Sequence, residues 1–412
     1  MSLVQESIVQ KKLSVIKKDK VQRSKYKSNI IKLYCFNFFI GFSLISGILI
    51  PFYLIYGGFT FFEFMLLQSY YALIVIILEI PCGILADRIS KKFALMLAGI
   101  SYLIIPFIYG ITPTKLLFFV GETLFAFSNA LISGTNEAIV YENLKKIGKE
   151  NLIMKTMAKN DGMFLLGIIV SAPLGSIIAS LISIRMVILL MILPYFICLI
   201  LTFTLYRIRR EDAITEKSTH ILKSGFLALG KNKILKILVF EKIIIEIVII
   251  FLVYTYQYYI LFEFNIPVFY FGFIDAGLTL SNFMFLNLIP HLTTNIIDKK
   301  KLLLVNTLIP GIGYILIAII NFAPIIIFLF IIIIGLGLSR YIIFTNGINR
   351  QIKENNRATI LSTINVISGI LKAILYPLIG LLVMFNINFL YLIFGILIVF
   401  FALKSKIKKE YL

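Results

Sequence analysis

Charged residues, cysteine and histidine are all scarce in this chain of 412 residues. Only 15% of the residues are charged, whereas a soluble domain carries about 25%, and this excludes a soluble enzyme. The three cysteines lie inside apolar runs and, like the two histidines, form no metal-ligand spacing. A disulfide scaffold and a zinc site are therefore excluded. No Gly-x-x-x-x-Gly-Lys-Ser/Thr loop is present, so ATP does not drive the protein directly.

Apolar residues, in contrast, are abundant. They make up 60% of the chain, roughly 247 side chains, where a soluble domain has about 45–50%. Twelve membrane-spanning helices of about 20 apolar residues each would need roughly 240. The composition therefore excludes a disordered chain and indicates a protein that crosses the membrane many times.

Twelve apolar runs alternate with short polar breaks, and each is longer than the roughly 18 residues that span a bilayer. Because the runs are unbroken and do not alternate with period two, they predict helices rather than a barrel. We number them spans 1 to 12: 30–56, 60–86, 92–110, 115–141, 159–182, 185–206, 236–262, 267–290, 301–320, 324–348, 358–383 and 386–404.

The basic residues fall on one side of the predicted membrane. The chain has 40 Lys+Arg against 20 Asp+Glu, and 34 of the 40 lie in the two tails and the breaks after even-numbered spans. The other breaks hold only Lys115 and Arg185. Since basic loops mark the cytoplasmic side, both termini are predicted to be cytoplasmic. The net charge of +20 is thus a topology signal, and no nucleic-acid partner is expected.

The longest polar stretch between spans separates two halves of six spans. The predicted organisation is a basic tail (1–29), a first six-helix bundle (30–206), a linker (207–235), a second bundle (236–404) and a C-terminal tail (405–412). The first 29 residues lack the apolar core of a signal peptide, so span 1 is expected to be retained. The middle of the linker suits either an amphipathic surface helix or a solvated segment; its apolar residues are Ile221, Leu222, Phe226 and Leu229.

The two halves resemble each other at equivalent turns. The segment after span 2 reads GILADRISKK (83–92), and the segment after span 8 reads HLTTNIIDKK (291–300). The two share a lysine pair, and Asn295 stands opposite Asp87. Parallel six-helix repeats are one known transporter architecture.

Segment 83–92 resembles the loop signature between helices 2 and 3 of the major facilitator superfamily, with Ser90 in place of the second glycine. The run SGTNEAIVYE (133–142) is similar to the end of helix 4 in a bacterial branch dominated by exporters. The resemblance implies an all-α membrane protein of twelve transmembrane helices in two pseudo-symmetric six-helix bundles. It also implies transport by alternating access.

The resemblance implies that segment 83–92 acts as a gate. A glycine lets another helix approach, the aspartate accepts bonds from helix N-terminal amides, and the cations pair with acids. Such a cluster would latch the cytoplasmic ends of the two halves; the alternative is that the cations only meet anionic headgroups. The predicted gating residues are Gly83, Asp87, Arg88, Lys91, Lys92 and Glu142.

Ionisable residues inside spans are costly and are usually functional. Lys242 and Glu246 are four residues apart and suit a local ion pair, whereas Asp275 and Lys372 suggest a pair across spans 8 and 11. The candidates for proton coupling are Glu79, Glu122, Glu246, Asp275 and Lys372.

Several polar residues inside spans are candidates for the substrate cavity. The asparagines could instead bridge helices, the tyrosines of span 7 could form an interfacial belt, and Arg340 could extend to the membrane surface. The cavity candidates are Asn37, Asn129, Tyr256, Gln257, Asn282, Asn287 and Arg340.

Small residues at three- and four-residue spacing run along span 5, and Pro173 follows a small residue there. This run loosely resembles the antiporter signature of exporters in the same superfamily. Plain helix packing is the alternative. The residues that carry either interpretation are Gly167, Pro173 and Gly175.

The sequence therefore predicts a monomeric secondary transporter of the bacterial cell membrane, with no metal and no cofactor. Its expected partners are protons, the lipid bilayer and a small-molecule substrate. Proton-coupled export of an amphipathic molecule, such as a drug, antibiotic or peptide-like metabolite, is the leading hypothesis. The alternatives are a proton-coupled importer, a multi-span membrane enzyme and a non-transporting sensor.

Overall fold

A computed structural model describes residues 2–206, 218–295, 298–352 and 357–412. Residues 207–217 of the predicted linker and the side chains of Ile221 and Leu222 lie outside this description. The helices are α1 (Ser2–Gly41), α2 (Phe61–Arg88), α3 (Lys91–Ile111), α4 (Lys115–Ile132), α5 (Thr135–Lys146), α6 (Ile153–Leu181), α7 (Ile184–Leu190), α8 (Ile192–Thr204), α9 (Ser218–Lys231), α10 (Lys233–Phe262), α11 (Phe271–Asn295), α12 (Lys299–Ile319), α13 (Ala323–Arg350) and α14 (Arg357–Lys404).

The chain is helical almost throughout, and the described residues contain no β-strand. Ten helical stretches among them are long and apolar enough to cross a membrane. One of the ten covers both of the last two predicted spans, which are divided by a non-helical residue, Asn386. Span 7 lies in the 30-residue helix α10, which is not among the ten. The all-helical membrane class is confirmed, and the count of twelve spans stays a prediction.

Local sequence signals define several helix ends. Thr60 and Glu63 form a capping box at the start of α2, in which each side chain accepts a bond from the other residue's backbone N–H. Asn232 accepts backbone bonds from Ile234 and Leu235 at the start of α10 (3.0 and 3.1 Å). These caps satisfy amides that the first turn of a helix leaves unpaired.

Span 1 differs from the regular helix that its apolar run predicts. The helix α1 ends at Gly41, and the chain continues as a 3-10 turn (Ser46–Ile48) and a π-helical turn (Pro51–Tyr56). Irregular backbone at membrane depth is stable only where protein partners satisfy its polar groups. The partner here is a side chain of the other half, as described below.

The two halves of the chain pack against each other through α2 with α14 and through α6 with α11. We call the end of the bundle with segment 83–92 the basic end, and the end with Glu63 and Lys115 the opposite end. Glu63 and Lys115 form an ion pair there (2.6 Å). At the opposite end, Gly47 and Gly272 both meet the backbone of Ala172, so that a Cβ on either glycine would overlap its carbonyl.

Candidate functional site

The predicted gate, segment 83–92, lies at the basic end, and its lysines contact residues of the first half. Lys91 forms an ion pair with Glu142 of α5. Lys92 donates from Nζ to the carbonyls of Phe203 and Leu205 at the end of α8 (both 2.7 Å). Both lysines therefore join helices of the first half. The predicted latch between the two halves is not formed by these lysines in this structure.

Gly83 and Asp87 do not make the contacts expected of them. A Cβ built on Gly83 would meet nothing within 4 Å, so no helix approaches this glycine closely. Asp87 is exposed, and in the described part of the chain it makes no hydrogen bond to a helix N-terminus. Arg88 is also exposed. The space beside Gly83 is open in this conformation, which contrasts with the close packing at the opposite end.

A carboxyl of the second half lies in a hydrogen-bonded chain that reaches the first half. Asp275 of α11 is buried, and its Oδ1 accepts a bond from the hydroxyl of Tyr256 (2.8 Å). Gln257 donates to the same hydroxyl (2.9 Å) and to the carbonyl of Ser46 (2.8 Å), and it accepts from the amide of Ile50 (2.9 Å). Gln257 thus satisfies two backbone groups in the irregular part of span 1, the carbonyl of Ser46 and the amide of Ile50. We call this connection the amide clamp.

A second buried carboxyl lies in the first half. Glu122 of α4 is only 4% exposed, and its Oε1 accepts bonds from the hydroxyls of Tyr53 and Tyr109, the latter at 3.1 Å. Tyr53 belongs to the π-helical turn of span 1, and its ring packs on Phe64 of α2. No lysine or arginine pairs with Glu122 or with Asp275 among the described residues.

The remaining charges predicted to couple protons behave differently. Glu246 accepts bonds from Lys242 (3.1 Å) and from Lys372 (3.4 Å), so Lys372 pairs with this acid and not with Asp275. Glu79 is half-buried and has no hydrogen-bond partner among the described residues. Glu246 is therefore neutralised by two lysines, while the carboxyls bound by tyrosine have only neutral partners.

Two of the predicted cavity residues line a real cavity in the second half. This cavity has a volume of about 230 Å³ and lies between α10, α11 and α13. Asn282 and Arg340 line it together with Lys242, Glu246 and Phe344. Arg340 is 4% exposed, so it does not extend to the membrane surface.

The other asparagines form bonds between or within helices. Asn37 donates to Asn160 (2.7 Å) and accepts from Asn136 (3.1 Å), which joins α1, α5 and α6. Asn129 accepts from the hydroxyl of Tyr102 and donates to that of Tyr71, which joins α2, α3 and α4. Asn287 is exposed and bonds to a carbonyl of its own helix. The helix-bridging interpretation thus describes Asn37 and Asn129.

The small residues of span 5 form the closest helix contacts of the first half. A Cβ on Gly167 would overlap the carbonyl of Phe38, and one on Gly175 would overlap the carbonyl of Leu44. Pro173 lies inside α6 between these glycines. This geometry is that of helix packing, in which small residues let two backbones approach.

Outside the spans, Asp298 is placed to stabilise the start of α12. Its carboxylate accepts a bond from the amide of Lys300 (2.9 Å) and forms an ion pair with Lys409 (3.1 Å). These interactions, the backbone bond first, lower the pKa of Asp298. Segment 291–300, which shares a lysine pair with segment 83–92, is described only in part, because residues 296 and 297 lie outside the described ranges.

Sequence reasoning did not identify Tyr53 and Tyr109 as partners of Glu122. They lie on spans 1 and 3, and only packing brings them to one carboxyl. Both tyrosines stand within three residues of a predicted span end, where an interfacial belt also places tyrosine, so no sequence signal distinguished them. Asn136 and Asn160 were missed in the same way, because single polar residues on separate helices reveal no pairing in a sequence.

An all-helical chain with two packed halves, carboxyls buried between helices and a polar cavity has the features of a membrane transporter. A family model of the Major Facilitator Superfamily matches residues 31–375. The chain belongs to this superfamily, and it is a transporter and not an enzyme.

Two solved structures are similar in fold. A mutant of the nucleoside transporter NupG superposes with a TM-score of 0.76 at 15% identity, covering 92% of this chain and 100% of that one. Another structure of NupG gives a TM-score of 0.66 at 16% identity, covering 94% of this chain and 100% of the other. At this identity the likeness concerns the fold. No curated protein matches the sequence.

Proposed function

We propose that the protein is a monomeric, proton-coupled secondary transporter that exports an amphipathic small molecule across the cell membrane. Twelve spans with both termini in the cytoplasm belong to the same proposal, because the basic residues gather at one end. The observation that carries it is the pair of buried carboxyls, Glu122 and Asp275, each bound by tyrosine hydroxyls without a cation.

A buried carboxylate without a cation is unstable in a medium of low dielectric constant. Protonation removes this cost, so burial away from water favours the protonated form of each carboxyl. Opening the site to water on either side would favour release. This exchange is what coupling to a proton gradient requires, and intramembrane acids of transporters commonly serve in such relays. Glu246 lacks this property because Lys242 and Lys372 compensate its charge.

The amide clamp connects the carboxyl of the second half to the contact between halves. Protonation of Asp275 would change its bond with Tyr256, whose hydroxyl also accepts a bond from Gln257. Gln257 in turn holds Ser46 and Ile50 of the other half. We therefore propose that the charge of Asp275 biases the closure of the opposite end, which would link proton binding to alternating access.

Export is the proposed direction, on two grounds. The run 133–142 resembles exporters, and a Cβ built on Gly83 would meet nothing within 4 Å at the basic end, which this proposal assigns to the cytoplasm. In this scheme a substrate enters from the cytoplasm, and protons move inward as it leaves.

Accumulation in proteoliposomes tests both coupling and direction. Vesicles with an acidic interior should accumulate substrate if the protein is an antiporter, whereas an acidic exterior should drive accumulation by a symporter. The compounds tested would be cationic, neutral and anionic amphipathic molecules. The variants Glu122→Gln and Asp275→Asn should lose most of the response to the gradient, while Glu150→Gln, an exposed acid at the basic end, should keep it. If accumulation by the unmodified protein does not depend on the proton gradient, the proposal is contradicted.

Uptake of nucleosides is a second candidate function. The observation that favours it is the TM-score of 0.76 with a structure of the nucleoside transporter NupG. The same vesicles decide between the two. Accumulation of radiolabelled uridine with an acidic exterior supports uptake. If no uridine accumulates under either gradient, this candidate is excluded.

A further inference from the structure

We propose that the cavity between α10, α11 and α13 binds an anionic group of the transported substrate, such as a carboxylate or a phosphate, with Arg340 as its main contact. The inference rests on the proposed function, because it names the substrate class of the same transporter. It depends on the charges of the second half and is independent of Glu122 and Asp275.

Arg340 is the first observation. Its side chain lines the cavity, roughly 15 Å from the end of α13 at 1.5 Å per residue. It is 4% exposed and makes no hydrogen bond or ion pair with any described residue, and its Nε is buried without a partner. The guanidinium carbon lies 5.0 Å from the centre of the Phe344 ring.

An arginine in this state is costly, because a buried charge without a partner keeps its desolvation penalty. The nearby acids do not remove this cost. Glu246 is shared by Lys242 and Lys372. Glu241 lies near enough to interact electrostatically, but its carboxylate accepts bonds from the hydroxyl of Ser405 (2.8 Å) and the amide of Lys406 (3.2 Å). The cavity therefore keeps an excess of positive charge.

Asn282 is the second, independent observation. Its Oδ1 is buried, and no hydrogen-bond partner satisfies it among the described residues. Asn282 lines the same cavity as Arg340, from α11. A carboxamide oxygen accepts a hydrogen bond, so it suits an O–H or N–H of the substrate beside the acid group, such as the hydroxyl of a singly ionised phosphate. The guanidinium supplies the charge and a planar set of donors that matches carboxylate and phosphate oxygens.

Lys242 completes the polar side of the cavity, and Phe344 supplies an apolar side. The ammonium of Lys242 lies 5.2 Å from the ring centre of Tyr341 and forms an ion pair with Glu246 (3.1 Å). A substrate with an aromatic or aliphatic body and one acidic group fits this surface. A cationic substrate would meet Arg340 and Lys242 unfavourably.

The test measures binding to the full-length protein in phosphatidylcholine nanodiscs, without a proton gradient. Four probes share one ring system: naphthalene carboxylate, naphthyl phosphate, naphthalene carboxamide and naphthylmethylamine. The chain contains no tryptophan, so naphthalene fluorescence can be excited with little protein background. Empty nanodiscs correct for partition into lipid. The two anions should bind roughly tenfold more tightly than the amide, and the amine more weakly still. The carboxylate and the phosphate then show which acid group the cavity prefers.

Two variants with opposite expected effects on anion binding make the test specific. Arg340→Gln should abolish the preference for the anions over the amide. Glu246→Gln removes the negative charge of the acid that lines the cavity and should strengthen anion binding several-fold. Arg350→Gln, the same substitution on an exposed arginine of α13, should change neither.

The proposal is overturned if the unmodified protein binds the amide as tightly as the anions, or if Arg340→Gln leaves their ratio unchanged. Should Arg340→Gln fail to fold, Glu246→Gln decides, since unchanged or weaker anion binding in it contradicts the proposal. The proposed proton coupling does not enter this experiment. Gradient-driven accumulation can fail while anion binding succeeds, and the reverse also holds.

Discussion

At the scale of single residues, the polar side chains inside the spans divide into those that hold helices together and those left with unsatisfied chemistry. Asn37 and Asn129 are fully engaged between helices. Arg340, Asn282 and Asp275 each retain a buried atom without a partner. The sequence shows all of these alike as polar residues in apolar runs. Only their packing distinguishes structural residues from candidates for binding.

Asn37→Ala should destabilise the protein without changing which substrates it carries. The substitution leaves the polar groups of Asn136 and Asn160 without their bonds to residue 37, and each unsatisfied buried group costs about 1–3 kcal/mol. Thermal unfolding in detergent measures the loss. Asn287→Ala is the matched control, because its amide is exposed and bonds only within α11, and it should be neutral. Equal effects of the two substitutions would show that the bridge does not matter.

Asp298 predicts a dependence of stability on pH at the basic end. Because its folded-state pKa is lowered, its contribution is present above the pKa of the unfolded chain and is lost as the pH falls through the folded-state pKa. Asp298→Asn keeps an acceptor for the amide of Lys300 but loses the ion pair with Lys409. The melting temperatures of the two proteins should differ near neutral pH and converge in acid. A constant difference across this range contradicts the assignment.

At the scale of helices, the apolar runs located the spans but not the breaks inside them. Span 4 is divided at Gly134, which has a φ of +70°, and span 6 is divided at Met191. Span 1 loses its helix after Gly41. The irregular part of span 1 has a partner far away in the chain, the side chain of Gln257, which accepts a bond from the amide of Ile50. Hydropathy averages over such contacts, so the sequence predicted the all-helical membrane class and missed the irregularity inside the runs.

Gly175→Val should separate the irregular part of span 1 from α6. A Cβ at this position would overlap the carbonyl of Leu44, which is backbone and cannot turn aside. Overpacking of this kind costs about 1–3 kcal/mol or more. Thermal unfolding and expression level measure the effect. The control is Gly230→Ala in α9, where a Cβ meets nothing within 4 Å. If Gly175→Val lowered the melting temperature no more than this control does, the close contact between span 1 and α6 would be refuted.

At the scale of the whole molecule, the contacts between halves are unequal at the two ends. The amide clamp and the meeting of Gly47 with Gly272 join the halves at the opposite end. At the basic end, a Cβ built on Gly83 would meet nothing within 4 Å. Alternating access requires a second state in which these relations reverse, and a glycine at position 83 would then allow the close approach predicted from the sequence.

Gly83→Val should therefore be tolerated in this state and hinder the other. The measurement is cross-linking of Ser69→Cys with Ala373→Cys, because the hydroxyl of Ser69 lies 2.5 Å from the carbonyl of Ala373 across the two halves. The yield should rise when Gly83→Val is added, since the population shifts toward the state closed at the opposite end. Thr112→Val, in the loop at the opposite end, should leave the yield unchanged. A lower or equal yield with Gly83→Val contradicts this account of the gate.

The central claim is that Glu122 and Asp275 exchange protons inside the membrane. Infrared difference spectra of the protein in nanodiscs, recorded between acid and alkaline pH, detect the C=O stretch of protonated carboxyl groups directly and need no substrate. We expect bands that titrate in the unmodified protein, with one component missing in Glu122→Gln and another in Asp275→Asn. A double variant whose carboxyl bands match those of the unmodified protein would contradict the claim.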